Sequence, residues 1–185
     1  TRVSELFILL PPDGAAEASR EKVLASGFNY SQIELLTAYS IMPGLHLRSF
    51  EASSNLSRIR RVSRQPVVTN GWGCYAELLA EDLGYYSSYW SRFLRCYVRA
   101  LRAARAYADG ALHPRKWDPA QASQFFQDNL YMTTAQADGE VLKLSLSPTE
   151  GFSYILGMDR ILEMRRYYQR TEAKYFDLRK FHTVL

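Results

Sequence analysis

The stretch from Ser87 or Ser88 to about Ala108 constrains the fold most, because it reads as a single long helix with two unlike faces. Trp90, Leu94, Tyr97 and Leu101 recur at helical spacing and form a stripe to be buried. Arg92, Arg95, Arg99, Arg102 and Arg105 recur three or four residues apart and share roughly one other face, which the pattern marks as solvated or partner-facing. Such a helix is stable only when other elements cover its apolar stripe. The surrounding chain supplies further helices. Asp13 caps one running to about Gly27, and Pro43-Gly44 opens another with Leu45, Leu47, Phe50, Leu56 and Ile59 on its apolar face. Trp72 to Leu83 forms a third, stopped by Gly84. Asp118 and Pro119 are an N-cap and first-position pair leading into Phe125, Phe126 and Leu130. A helix from about Gly151 to Gln169 and a short one from Asp177 close the chain. Only Val141 to Leu146 alternates like a strand. No repeat, linker or low-complexity segment interrupts the pattern, so the expectation is one all-α domain over residues 1–185.

Composition narrows the class. With 47% hydrophobic and 23% charged residues over 185 positions, the chain is globular and long enough to bury a core. The net charge of +4 is modest, and Glu81, Asp82, Asp109 and Asp118 dilute the arginine stripe. A second cluster, Arg58, Arg60, Arg61 and Arg64, sits beside Pro66. The modest charge and its dilution argue against nucleic acid as the partner, while the second cluster reads equally as a solvated face or a phosphate site. No apolar run is long enough to span a membrane. Leu6 to Leu10 lacks the basic lead and cleavage site of a signal peptide, which favours a cytoplasmic setting. Cys74 and Cys96 lie in apolar helical contexts and are expected to be buried free thiols.

Two segments carry the functional information. Tyr39-Ser40-Ile41-Met42-Pro43-Gly44-Leu45-His46 and Asn70-Gly71-Trp72-Gly73-Cys74-Tyr75-Ala76-Glu77 resemble two motifs of the bacterial domain-of-unknown-function family 885. Those motifs read His-Glu-x-x-Pro-Gly-His-His and Glu-Gly-Trp-x-x-Tyr-x-Glu, and they mark the family as zinc metallopeptidases of gluzincin type. The resemblance continues through Arg102 to His113, Trp117, Glu140 to Lys143, Pro148 to Gly157 and Phe176 to Leu185. It covers the chain from about residue 37 and matches the C-terminal part of a longer architecture. It implies helix at Val141 to Leu146, and a missing N-terminal part: the chain is then a fragment or separate chain completed by a partner or a second copy in a homo-oligomer, or a stand-alone reduction that covers the exposed face itself.

The departures from the motif are chemical. Tyr39 stands at the first histidine, Ser40 at the glutamate base, Leu45 at the first of the paired histidines and Asn70 at the second motif's glutamate. A catalytic zinc needs about three ligands from His, Asp, Glu or Cys, and a carboxylate to take the proton of its water. These positions supply none of that, so no metal or other cofactor is expected, with zinc held by His46, His113, His182 and Glu77 as the lesser alternative. The resemblance places His113, Tyr154 and His182 in the substrate cleft as candidate acid, base or oxyanion groups. Tyr39, Ser40, His46, Asn70, Glu77, Asp109 and Lys143 are expected to line or support it. Asp109 and Glu77 are expected in buried ion pairs, and Lys143 keeps a cation where the family has Arg. Three functions follow: a catalytically degenerate domain binding a peptide, small molecule or partner in the old cleft; a repurposed metal-independent enzyme; and a structural subunit paired with another chain.

Overall fold

The computed structural model describes residues 29–185 except 56, 63, 64 and 115, and of residues 60 and 62 it describes the backbone alone. Every regular element among them is helical: α1 (Tyr30–Leu36) running into a π-helical turn (Thr37–Ile41), α2 (Leu45–Ser53), α3 (Arg58–Val62), α4 (Pro66–Asp82), α5 (Tyr89–Leu112), α6 (Pro119–Leu130), α7 (Thr134–Leu146), α8 (Glu150–Glu172), a 3₁₀ turn (Ala173–Tyr175) and α9 (Leu178–Val184). None of them is long and apolar enough to cross a membrane. The expected helix from Asp13 to Gly27 lies outside the described residues, as do Leu56 and Arg64 and the side chain of Arg60.

Local chemistry sets most of these boundaries. Ser88 caps α5, its hydroxyl accepting from the Ser91 amide, and Gly84 ends the preceding turn at φ +72. Pro66 opens α4 six residues earlier than the Trp72 start read from the sequence. Asp118 and Thr133 each form a capping box, with Gln121 and Gln136 reaching back to the cap amides. Val141 to Leu146 is helix, since Val141 and Leu144 enter a core with Phe126 and Leu130 that a strand would not fill.

Three helices make the centre. Helices α4 and α8 pack along their lengths, and α5 lies against α8. Their closest approach is at Gly71 and Gly157, where a Cβ on either would collide with backbone of the other helix. Helices α6 and α7 form a hairpin against α5, around Ala104, Ala108, Ala122, Phe126, Leu130, Ala137, Val141 and Leu144. A second core joins Cys74, Tyr75, Met158, Ile161 and Phe181 across α4, α8 and α9, and a third seats Leu35 and Ala38 against Ala80 and Tyr86.

The structure corrects four expectations. On α5, Trp90 is 68% exposed and Leu94, Tyr97 and Leu101 are only partly buried, while Arg95 and Arg102 are buried. The arginine face thus turns partly inward, because Glu81 and Glu77 on α4 neutralise Arg95 and Arg102. Arg92 and Arg99 stay exposed. The apolar face starting at Leu45 is only half covered: Leu45 and Leu47 are partly buried, Phe50 and Ile59 are exposed, and no residue of α2 is fully buried. Cys96 is exposed, and only Cys74 is a buried thiol.

Candidate functional site

The two motif segments meet. Tyr39 hangs from the π-helical turn, and its hydroxyl donates a long hydrogen bond of 3.5 Å to Asn70 Oδ1 on α4. The Asn70 amide donates to Ser153 Oγ on α8 at 2.7 Å, and that hydroxyl donates to the Glu150 carbonyl at 2.6 Å. Trp72 ties the same segments from another side, its indole N–H donating to the Pro43 and Gly44 carbonyls at 3.0 and 3.2 Å. Gly44 and Gly73 permit this: a Cβ on the first would overlap the Tyr39 carbonyl, and on the second the Tyr39 ring. A π-turn is an uncommon way to aim a side chain, and such turns concentrate at functional sites.

Charge surrounds that line. Arg102 on α5 is buried and held by both carboxylate oxygens of Glu77. Burial works against its charge, yet the hydrogen bonds and charge of Glu77 outweigh it, and the guanidinium pKa is raised. The same guanidinium lies 4.9 Å from the Tyr39 ring centre and 5.8 Å from that of Tyr154. One turn on, Arg105 makes a second two-point pair with Glu140 on α7, and Lys143 adds a 3.1 Å bond to Glu140. Burial raises the Glu140 carboxyl, but the hydrogen bonds and charges of Arg105 and Lys143 prevail and hold it below its ordinary value. Burial pushes the Tyr39 and Tyr154 hydroxyls up, so both stay protonated donors near neutrality.

Three cavities run along this region. One of about 370 Å³ includes Tyr39, Glu77, Arg102, Arg105 and Tyr154 in its wall. A second, about 390 Å³, shares Arg105 and Tyr154 and adds Glu140, Lys143, Ser147, Glu150 and Gly151. The third, about 690 Å³, shares Ser147 and Glu150 and reaches Asn70 and Ser153. Together they form a groove from α1 and α5 across to the start of α4.

The expected residues divide into two groups. Tyr39, Asn70, Glu77, Lys143 and Tyr154 line this groove. Ser40 is half-buried in the π-turn without lining any of the three cavities, and His46 is exposed on α2. His113 Nε2 lies 3.1 Å from the Leu144 carbonyl and 3.2 Å from Asp109 Oδ1. Buried Asp109 also accepts from the backbone amides of Thr149 and Gly151, at 3.1 and 2.9 Å, and so caps the start of α8. His182 shares a 2.8 Å hydrogen bond with the Tyr75 hydroxyl and packs edge-on to Trp72. Burial, with the nearby Arg165 charge, lowers the His182 pKa. Glu77 and Asp109 each have a partner of the expected Arg-or-His kind, Arg102 for Glu77 and His113 for Asp109, to which Asp109 adds two backbone amides.

A zinc ion does not fit what the motif positions present. Tyr39 and Asn70 bond to each other, Glu77 has both oxygens on Arg102, and among the described residues no three His, Cys, Asp or Glu side chains gather.

Residues 12–185 match the family described as bacterial protein of unknown function, DUF885. The chain belongs to that family. Two solved structures share its fold. A "putative lipoprotein" from Colwellia psychrerythraea matches with a TM-score of 0.78 and 26% identity over 84% of this chain. A "putative lipoprotein of unknown function" from Shewanella oneidensis matches with a TM-score of 0.82 and 23% identity over 95%. The chain spans 27% and 32% of their respective lengths. No curated protein matches it.

Within this DUF885 chain, sequence reasoning missed Arg102, Arg105, Glu140 and Ser153 as site residues. Both arginines were visible in the stripe of α5, and Glu140 stood in the segment with Lys143. Their signal was their spacing, which could not say which side of the helix faces the core. Ser153 had no signal of its own.

Proposed function

We propose that this chain is a peptidase-like domain without zinc hydrolysis, which binds a peptide, small molecule or partner segment in the groove beside Tyr39, Asn70 and Tyr154. The observation that carries this is the Tyr39–Asn70–Ser153 line. The side chains at two positions where the family pattern has a metal ligand and an acid are neutral, meet, and satisfy one another at the wall of an open groove. Hydrolysis by zinc needs an open coordination position and a base there; a hydrogen-bonded tyrosine and asparagine offer neither. The groove nonetheless keeps charged and hydroxyl groups able to orient a ligand. His113 and His182 are held by separate partners, which weighs against joint acid–base work with Tyr154.

The test is hydrolysis of a mixed peptide library by the purified chain with one equivalent of zinc. Intact peptides are expected, and metal-dependent cleavage would refute the proposal.

A second reading has its own support. Met42 and Ile59 are exposed, 54% and 77% respectively, as side chains of a surface that takes up another polypeptide would be. Light scattering tests that pairing, where a monomer at all concentrations would count against self-association.

A further inference from the structure

Two side chains join two cavities of the groove. The 370 Å³ cavity has Leu35, Leu36, Leu94, Val98 and Leu101 in its lining, beside Glu77 and Arg102. The 390 Å³ cavity has Glu140, Lys143, Ser147 and Glu150, beside Leu144 and Leu146. Arg105 and Tyr154 line both, so they stand where the two cavities meet.

At this junction both cations are bonded to the same carboxylate. Glu140 accepts from Arg105 through Nε and one terminal nitrogen, and from Lys143 through Nζ. One carboxylate thus serves two cations. A guanidinium has five N–H donors and an ammonium three, so each cation keeps donors beyond those given to Glu140. The Lys143 side chain is 71% exposed. Among the described residues no hydrogen-bond partner holds the Tyr154 hydroxyl, which remains a donor at the boundary. Glu150 lines the 390 Å³ cavity from an exposed position and disfavours a second negative charge there.

Resting on the binding role proposed above, we infer that this junction takes a single carboxylate carried on an apolar group. The carboxylate would sit on Arg105, Lys143 and the Tyr154 hydroxyl, and the apolar group would pack on Leu94, Val98 and Leu101. The donors that Arg105 and Lys143 do not give to Glu140, with the Tyr154 hydroxyl, suit one carboxylate, and Glu150 opposes the second charge of a phosphate dianion. Two sources share this chemistry: the C-terminus of a peptide with an apolar last residue, and a free amphiphilic acid.

Titration of ¹⁵N-labelled chain separates them, with the Arg105 Nε–H and Gly151 amide signals as reporters. The probes are N-acetyl-glycyl-phenylalanine, its C-terminal amide, and 3-phenylpropanoate. Both acids are expected to move the reporters, and the amide to bind at least about tenfold more weakly for loss of charge-assisted bonds. Tyr154→Phe should weaken the acids about fivefold, as loss of one hydrogen bond does, and Lys143→Gln about threefold. Equal affinity of the two acids identifies a free acid as sufficient; a tighter peptide identifies a peptide C-terminus. The inference is overturned if acid and amide bind alike, if both variants bind the acids unchanged, or if no probe moves either reporter. Should a variant misfold, the acid and amide comparison on the unaltered chain still decides. Cleavage of the acetylated dipeptide on adding zinc would instead refute the binding role itself, so the two failures are distinguishable.

Discussion

The α6–α7 hairpin and the junction of α4, α5 and α8 are built on opposite plans. The hairpin buries Ala122, Phe126, Leu130, Ala137, Val141 and Leu144 against α5, and each of its helices opens on a capping box. The junction buries Glu77, Arg102, Asp109 and Ser153. Apolar side chains at those positions would pack without the cost of removing charge from water, which a buried ion pair regains only with good geometry. The hairpin core is what stability alone would build, apart from Ser123 and from Glu140, which leaves it to pair with Arg105 at the groove. The junction retains buried charge next to an open groove, and that contrast locates the part of the molecule organised around something besides stability.

The comparison can be broken first at the helix contact. Gly157→Val puts branched atoms into the Val67 carbonyl and the Gly71 backbone, and is expected to destabilise by more than about 4 kcal/mol, seen as loss of the cooperative thermal transition in circular dichroism. Next, Arg102→Met leaves Glu77 buried without its partner and should destabilise by roughly 3–5 kcal/mol in urea unfolding. The double variant Arg102→Met, Glu77→Leu should recover most of that loss if the pair is kept for function and not for stability. In the hairpin, Phe126→Ala should cost about 3–5 kcal/mol, with no partner change able to restore it, which sharpens the difference between the two plans. A smaller effect concerns pH. The Glu140 carboxyl lies below its ordinary value of 4.5 in the folded chain, so its contribution is complete above pH 4.5 and fades as pH falls through the lower folded value. Glu140→Gln should flatten the acid side of the stability curve; an unchanged curve would show that Arg105 and Lys143 do not hold this carboxylate in solution. Smallest, Asp118→Ala removes one capping box and should cost about 1 kcal/mol.

Helix ends were legible because they depend on residues adjacent in sequence. Ser88, Asp118-Pro119 and Gly84 act through their own backbone neighbours, and all three stand where the pattern put them. The inward turn of Arg95 and Arg102 was not legible. Spacing on α5 places both on one face, but which face is buried depends on Glu81 and Glu77, carried by another helix. The exposure of Trp90 is the other side of the same rotation. Within the site, Tyr39 and Asn70 were marked by their places in the motifs, whereas Arg105, Glu140 and Ser153 joined them through contacts between α5, α7, α4 and α8.

The sequence by itself determined that this is an all-helical member of its family, because helix-forming spacing and the family's residues are written locally in the chain. Only the tertiary structure decided that Tyr39 and Asn70 touch, that the arginines of α5 point inward to carboxylates, and that Arg105 and Tyr154 share the border of two cavities. Each of those is a relation between helices, fixed by how closely Gly71 and Gly157 let them approach.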